Sequence, residues 1–578
     1  MKFLVSFLFI LISNIAFLQV FQNIDTMSYF DRINGSIDSI DVNSGNLPST
    51  FDGGIPIYTS DGVTSLDLLR SVMQTNFQNS HEYSNIKYSA LPHLGFAYSF
   101  GGQGAQFIQA KYNQAFTDNF FIDIDYVKSS GNGVIRGSDF YLNDFGVQMF
   151  RFGKKYSMNL KGAFQLNKVS HSGGLINIDS TIQQFGLQFP DVKKNANSKN
   201  KIGEIHQENY FNFRSDSINK IGLKSFHKYT VNNRFFEEYS DTLSQLYSTI
   251  NIDSNSTRDQ YKLASISNGI GFFISSKKFS FDALVYHKYW GFQNLGNHID
   301  TSEINFVSNV SLKRKKFIIK NKFNINIIGA ANEFENKLIS QYQAKKINFY
   351  TRCFIETKTQ SPFQRSYFGN NVSYSFTNLN KQTLMGVDSE INFNFLETLK
   401  NKYSIGFDVK LISIRNPFLY NGSDWFNDSL NFNFGSFSIS GGFKFGLLHI
   451  NPRIIYSISK NGHLPNIQCL GRIYIKGYVF KAKKLEALIG FDASYVSSFR
   501  LRLYMPYMDT YDWNIDQINT NPLSNFHAFL SLGISEFRFF IRYENIGYFF
   551  NNPLRQELVN YPIAGNRIRV GITWDFFN

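Results

Sequence analysis

Apolar and polar residues alternate along most of this chain, in segments of roughly ten residues, the length a tilted strand needs to cross a bilayer. Tyr156, Met158, Leu160, Phe164 and Leu166 alternate with Ser157, Asn159, Lys161, Gln165 and Asn167. Tyr403, Ile405, Phe407, Val409 and Leu411 alternate with Ser404, Gly406, Asp408 and Lys410. The final segment is the clearest, with Ile568, Val570, Ile572, Trp574 and Phe576 set against Arg569, Gly571, Thr573 and Asp575. Matching stretches run over Ile122 to Tyr126, Phe279 to Val285, Ile304 to Leu312, Phe323 to Ile327 and Phe537 to Tyr543. Successive side chains of a strand point to opposite faces, so each segment carries one apolar and one polar face.

Short basic turns punctuate these segments: Gly153-Lys154-Lys155 before Tyr156, Ser276-Lys277-Lys278 before Phe279, Lys313 to Lys316 before Phe317, and Ala482-Lys483-Lys484 before Leu485. Other connections are longer and polar: Ser170 to Ile202, Asp241 to Arg258, Arg415 to Asp428 and Tyr507 to Leu523. Short turns at one end and long loops at the other are the asymmetry of an outer-membrane barrel. A secreted sandwich would show strands of about 5–6 residues and domain boundaries every 100 residues or so; neither is present. The expected fold is therefore all-β, a single transmembrane antiparallel barrel over residues 86–578. Strands of about ten residues and connections of about fifteen give roughly 18–22 strands, an even number being expected. Lipid offers no hydrogen-bond partners, so such a sheet must close. Side chains alone cannot fill so wide a cylinder, and the polar row then lines water unless a plug intervenes.

The N-terminus is of another kind. Met1-Lys2, the apolar run Phe3 to Ile12 and Ile15-Ala16-Phe17-Leu18 read as a secretory signal peptide over residues 1–20, with the cut between Ala16 and Asp25. Residues 21–85 are rich in Asp, Ser, Asn and Gly and read as an irregular periplasmic extension, with a short helix expected from Thr64 to Met73. About 65 residues is small for a folded plug in so wide a lumen.

Composition supports this class without deciding it. The 578 residues include 62 Phe and 32 Tyr but only 12 Pro and 2 Cys, and 18% are charged. An ordinary soluble chain carries about 25% charged residues. The aromatic content excludes disorder and the two cysteines exclude a disulfide scaffold. An AT-rich genome would also raise Phe, Tyr, Ile, Asn and Lys, so the order of residues carries the argument. The net charge is +14. Arg500, Arg502, Arg538, Arg542 and Arg569 fall on the phase opposite the apolar rows and are expected to face the lumen, because charge facing lipid costs about 2–4 kcal/mol at midplane. Unpaired, such arginines would favour anions; paired with Glu544, Asp575, Asp492 and Asp408 they would form a wall without selectivity. Catalytic motifs are missing: there is no G-x-S-x-G, H-E-x-x-H, P-loop or C-x-x-C. The ten His are scattered; His287 and His463 read as strand and loop residues, and Gly101-Gly102-Gln103-Gly104 as a turn. Cys353 and Cys469 lie far apart in strand-like sequence. Neither a cofactor nor a metal is expected, and nothing marks a nucleic-acid surface.

The C-terminal quarter resembles a known family. Arg500-Leu501-Arg502-Leu503-Tyr504-Met505-Pro506, Phe537 to Asn545, Tyr561-Pro562 and Arg567 lead to Arg569-Val570-Gly571-Ile572-Thr573-Trp574-Asp575-Phe576-Phe577. This ending is similar to the Tyr-Pro … Arg … Gly-x-x-Trp-x-Phe pattern of the putative porin family of Bacteroidota outer membranes. Gln106 to Gly174 also resembles that family's N-terminal strands, with Ser172 where members often carry Asn. The resemblance covers about two-thirds of the chain and implies an outer-membrane barrel of a Gram-negative bacterium with a pore function. Its partners are then outer-membrane lipid, small solutes and the barrel-assembly machinery, to which Ile568, Val570, Ile572, Trp574 and Phe576 would present an aromatic-ended last strand; whether copies associate stays open. The leading expectation is passive diffusion of small solutes, with outer loops constricting the entry and a weak anion preference. A structural or adhesive surface barrel and an outer-membrane hydrolase are the alternatives. A TonB-coupled transporter is the least expected, since no plug is apparent before the strands.

Overall fold

A computed structural model describes residues 92–578 apart from 133–136, 174–195, 216–218, 241–242, 244–246, 330–332, 376–378, 398–400, 428–430, 460–463, 502, 513–518, 520, 547–555, 563–565 and 578. The proposed signal peptide, the extension and the helix over 64–73 lie outside the described residues, as does Arg502. Among the described residues no helix is long and apolar enough to cross a membrane.

The alternating segments form one sheet of 22 strands. Its first half comprises β1 (His93–Gly101), β2 (Gln106–Thr117), β3 (Phe120–Gly131), β4 (Phe140–Arg151), β5 (Tyr156–His171), β6 (Ala196–Ser215), β7 (Lys220–Tyr239), β8 (Ser256–Ser275), β9 (Phe279–Asn294), β10 (His298–Arg314) and β11 (Phe317–Ile328). β12 (Phe334–Gln343) and β13 (Ile347–Lys358) follow, and then a loop holding helix α1 (Pro362–Arg365), β14 (Ser366–Phe368) and β15 (Ser373–Ser375). β16 (Gln382–Glu397) and β17 (Asn401–Arg415) precede a second loop with β18 (Phe418–Tyr420) and β19 (Trp425–Asn427). β20 (Phe432–Phe445), β21 (Leu448–Ser459), β22 (Ile467–Tyr478) and β23 (Leu485–Val496) lead to a third loop with β24 (Leu503–Met505) and β25 (Thr510–Asp512). β26 (Leu523–Ile534), β27 (Phe537–Glu544), a loop pair β28 (Gln556–Leu558) and β29 (Tyr561–Pro562), and β30 (Arg567–Phe577) complete the ring.

Neighbours pair antiparallel, and the ring closes where β30 pairs with β1, His93 facing Phe577 and Phe100 facing Val570. Closure gives every interior strand two partners and leaves no edge for lipid. Both ends of the described chain lie at the end where connections are short. Several of these are two-residue turns: Lys315-Lys316, Gly446-Leu447 and Ser535-Glu536, with positive φ at Lys315 (48°), Gly446 (63°) and Ser535 (49°). Positive φ at the first turn residue matches the right-handed twist of the flanking strands.

The phase of each strand sets two faces. On β30 Ile568 and Trp574 are exposed on the outer surface while Arg569, Thr573 and Asp575 are buried on the other. The outer rows of β20–β23 likewise expose Phe437, Ile439, Ile454, Ile473, Ile489 and Phe491. Over β6–β9 one outward row is polar instead: Gln207, His227, Asn268 and His287 are cross-strand neighbours. Apolar rows flank it, with Ile205, Tyr229, Ile266 and Tyr289 on one side and Ile270 and Val285 on the other.

Two boundaries differ from the sequence reading. β6, β7 and β8 are each 20 residues long, twice a membrane span, so β6 starts at Ala196 and β8 at Ser256 inside stretches read as loops. Their upper halves stand beyond the lipid, where nothing demands an apolar outward row and the alternation signal vanishes. β23 ends at Val496, so Arg500 lies in the third loop rather than on a strand; it makes an isolated bridge to Asn519.

The face assignment has a direct consequence. Leu160→Lys, on the outward row of β5, is expected to lower stability by about 2–4 kcal/mol, whereas Ala163→Lys, inward and opposite Glu204, changes it far less; guanidinium unfolding of the vesicle-inserted protein measures both.

Candidate functional site

The barrel interior is the concave surface available for function. Its wall is the inward row of every strand, and that row is rich in charge held in pairs across neighbouring strands. Lys111 meets Asp125 at 3.5 Å, Lys228 meets Glu204 at 3.1 Å, Lys288 meets Glu303 at 3.7 Å and Lys322 meets Glu335 at 3.0 Å. Arg352 and Asp388 are 2.8 Å apart, Arg453 and Asp408 3.0 Å, and Arg472 and Asp492 2.6 Å. Lys224 lies between Glu208 at 2.7 Å and Asp282 at 3.4 Å. The alternation that turns apolar residues to lipid thus places opposite charges side by side within, each offsetting part of the cost of taking the other out of water.

The predicted arginines are part of this pattern where they are described. Arg538 bonds Glu486 at 2.8 Å, Arg542 bonds Asp492 at 3.2 Å, and Arg569 bonds Glu544 at 3.0 Å. Glu544 also accepts from Arg567, and Asp575 faces His93 at 3.3 Å. Arg542 and Arg569 are each only 2% exposed, so their charge is sunk into the wall. Arg500, in the third loop, does not join them. On the outward row of the same strand the Trp574 ring stacks on Phe576 at 4.1 Å and meets Phe537 edge-on at 5.7 Å.

Sequence reading missed the principal feature of the interior, a cap built from three loops. Residues 359–375, 416–427 and 503–512 of these loops converge at the long-loop end on the inner wall of β6–β9. Phe363, Tyr367, Val372, Tyr374, Phe418, Tyr420, Trp425, Tyr507 and Met508 from the loops bury against Ala196, Phe236, Tyr261, Trp290 and Phe292 of the wall. The third loop comes furthest: it leaves β23, nineteenth of 22 strands in the ring, and docks on β7, the seventh. There Arg234, 3% exposed, donates through Nη1 to the Tyr507 carbonyl at 2.9 Å and through Nη2 to the Pro506 carbonyl. A guanidinium fork suits two successive carbonyls, since both bonds share one charge.

The first loop is stitched by Asn370, which is 1% exposed. Its Nδ2 donates to the Asp253 carbonyl at 2.8 Å, its Oδ1 accepts from the Ile252 and Asp253 amides, and its own amide donates to Asp259 of β8 at 2.9 Å. Ser361 and Gln364 form a capping box that starts α1, with Pro362 at its first position. In the second loop Trp425 Nε1 donates to the Tyr374 hydroxyl at 3.1 Å, which donates to the Phe363 carbonyl at 2.7 Å. Tyr507 donates to the Gly422 carbonyl at 3.1 Å and ties the third loop to the second. Burial pushes the Tyr247, Tyr420 and Tyr507 hydroxyls above the usual phenol range, so they remain donors; Tyr247 spends its proton on Glu238 of β7 at 2.6 Å. Each large side chain returned to water would cost on the order of 1.5–3 kcal/mol, so opening of the whole cap is rare. Serine followed by proline and a glutamine three on was a readable sign of α1; nothing in the sequence tells which wall a loop will meet.

Replacing Arg234 with Met removes both charged bonds and strands two buried carbonyls, at a cost of about 1.5–3 kcal/mol per bond to the docked state. Hydrogen exchange over residues 497–522 is expected to accelerate, and Arg234→Lys, without the fork, to recover only part of the protection.

The interior and cap allow comparison with known proteins. No curated protein matches the chain in sequence. Among solved structures, the FrpB iron transporter from Neisseria meningitidis (F3-3 variant) is similar at 8% identity and a TM-score of 0.57, over 84% of this chain and 82% of that one. The copper transporter OprC is similar at 8% identity and 0.58, over 85% and 81%. The siderophore receptor PirA from Acinetobacter baumannii is similar at 9% identity and 0.56, over 85% and 81%. At such identities the likeness is one of fold. A family model described as putative porin matches residues 56–578. With that match running through the whole closed sheet, the chain belongs to the putative porin family, and its place is the outer membrane.

Proposed function

We propose that this protein is an aqueous channel through which small solutes cross the outer membrane by diffusion, with the three-loop cap as the constriction that limits rate and size. The observation that carries this reading is the contrast between the two ends of the interior. Paired charges line much of the wall, with only small inward apolar groups towards the short turns, such as Phe121 with Phe150 and Tyr474 with Leu488 and Phe529, whereas the one large apolar cluster lies at the long-loop end. Twenty-two strands enclose more space than inward side chains can occupy. The wall also bears on selectivity. Lysines and arginines that reach open space, such as Lys111, Lys322 and Arg453, sit beside carboxylates, and a paired charge exerts little net field. The anion preference anticipated from the arginines is then slight.

A second reading is favoured by the strand number. Barrels of 22 strands characteristically hold a plugged lumen and serve regulated uptake, and the similar structures named above are metal and siderophore transporters. In that case the cap is a gate opened by a ligand or partner rather than a fixed constriction.

Planar-bilayer recording separates the two. The intact protein is expected to show reproducible conductance steps, enlarged when residues 503–512 are replaced by a short Gly-Ser linker. A silent intact barrel that conducts only after this trimming supports the gate, and silence in both, with correct insertion, removes the channel reading. Glu335→Gln removes the carboxylate beside the half-exposed Lys322 and is expected to move the reversal potential in a salt gradient towards anions.

A further inference from the structure

The inward lysines named above have carboxylate partners, but a group of outward ones does not. Lys128 on β3, Lys168 on β5, Lys199 and Lys201 on β6 and Lys262 on β8 lie on the outer surface, just beyond the last exposed apolar residues on the long-loop side. On those strands Phe164, Ile205 and Ile266 mark the top of the apolar band. The register makes them one group. Lys168 faces Lys199 directly, Lys201 faces Asn233, and Asn233 faces Lys262. Lys128 and Lys168 both lie over the Tyr141 ring, each at 5.7 Å, and so are drawn together from two strands. Six strands at about 4.8 Å spacing put the group within an arc of about 24 Å. Like charges directly opposite on a sheet destabilise it. Among the described residues none of the five makes an ion pair, and the one outward carboxylate beside the arc, Glu237, faces Arg258. On the other side of the ring outward positions such as Asn433, Ile467, Phe526 and Ile568 are neutral, and Arg415 of β17 faces Thr383 rather than a second cation.

Long loops mark the outer face of such barrels, so the arc stands at headgroup level of the outer leaflet. The geometry points to a binding site for a phosphorylated glycolipid headgroup of that leaflet, its phosphates taken by Lys128, Lys168, Lys199, Lys201 and Lys262 and its acyl chains lying along the apolar rows below. The lysines act as point charges, each a donor to phosphate oxygen, and the bound phosphates relieve the repulsion between Lys168 and Lys199. The apolar rows below distinguish this from capture of a free anion, because they add contact only for a molecule that carries chains.

The test uses the full-length protein in phosphatidylcholine vesicles doped with diphosphoryl lipid A, extracted into polymer-bounded discs whose lipid is quantified. The wild-type protein is expected to retain diphosphoryl lipid A over dephosphorylated lipid A, and the variant K128Q/K168Q/K201Q/K262Q to lose at least about tenfold of that preference, since each basic residue near an anionic surface contributes roughly a factor of five. Heat-modifiable gel mobility confirms that the variant is closed. K277Q/K278Q/K315Q/K316Q, at the short-turn end, is expected to retain the wild-type preference. Equal retention of the two lipids by the wild type, or an unchanged preference in the outer-arc variant, overturns the proposal. Complete displacement by inorganic phosphate assigns the arc to free anions and overturns it as well.

Discussion

The structure depends on one requirement: backbone N–H and C=O groups inside lipid must find their partners within the sheet. Every strand of the ring answers to it, and the pairing of β30 with β1 is where the requirement is met or lost. An open sheet of the same strands would present two unpaired edges to hydrocarbon, each group costing several kcal/mol. Closure also fixes phase. Once His93 faces Phe577 and Phe100 faces Val570, no strand can slip by one residue without turning its charged row to lipid. The outward and inward rows, the ends that carry turns and loops, and the interior volume are consequences of that closure.

Within the ring, electrostatics follows a second rule. A charge facing the interior is tolerated where a nearby strand supplies the opposite sign, and the ladder Arg542, Asp492 and Arg472 shows this over β27, β23 and β22. Glu544 holds three arginines because β27 and β30 bring Arg542, Arg567 and Arg569 to it from adjacent positions. Such pairs organise the wall without giving it a strong net sign. Among the described residues a group of cations without carboxylate partners, Lys128, Lys168, Lys199, Lys201 and Lys262, stands on the outer surface beyond the apolar band.

The cap joins these rules to function. Three loops that leave the ring on one side converge on the tall wall of β6–β8 on another, which is possible because those strands rise well beyond the lipid. Their extra height gives the loops an inner surface to dock on, and Arg234, Asp259 and Glu238 supply the polar anchors. Aromatic residues that composition alone would assign to a lipid girdle, such as Tyr367, Tyr420 and Trp425, are instead the core of this cap.

Alternation over β5, β17 and β30 made the fold class, the face of each residue and the existence of a wide interior readable from the chain alone, because lipid imposes a period of two that little else sustains for ten residues. The same signal failed in the upper halves of β6 and β8, where water faces both sides and no period is enforced. It also misplaced Arg500, since a polar-apolar rhythm in a loop is indistinguishable from one in a strand until its neighbours are known. Local chemistry could show that Ser361-Pro362 begins a helical turn. The partners of Arg234 at Pro506 and Tyr507, and of Asn370 at Asp253 and Asp259, were decided only by the closed ring, because a loop's docking surface is set by the curvature and height of strands far away in sequence.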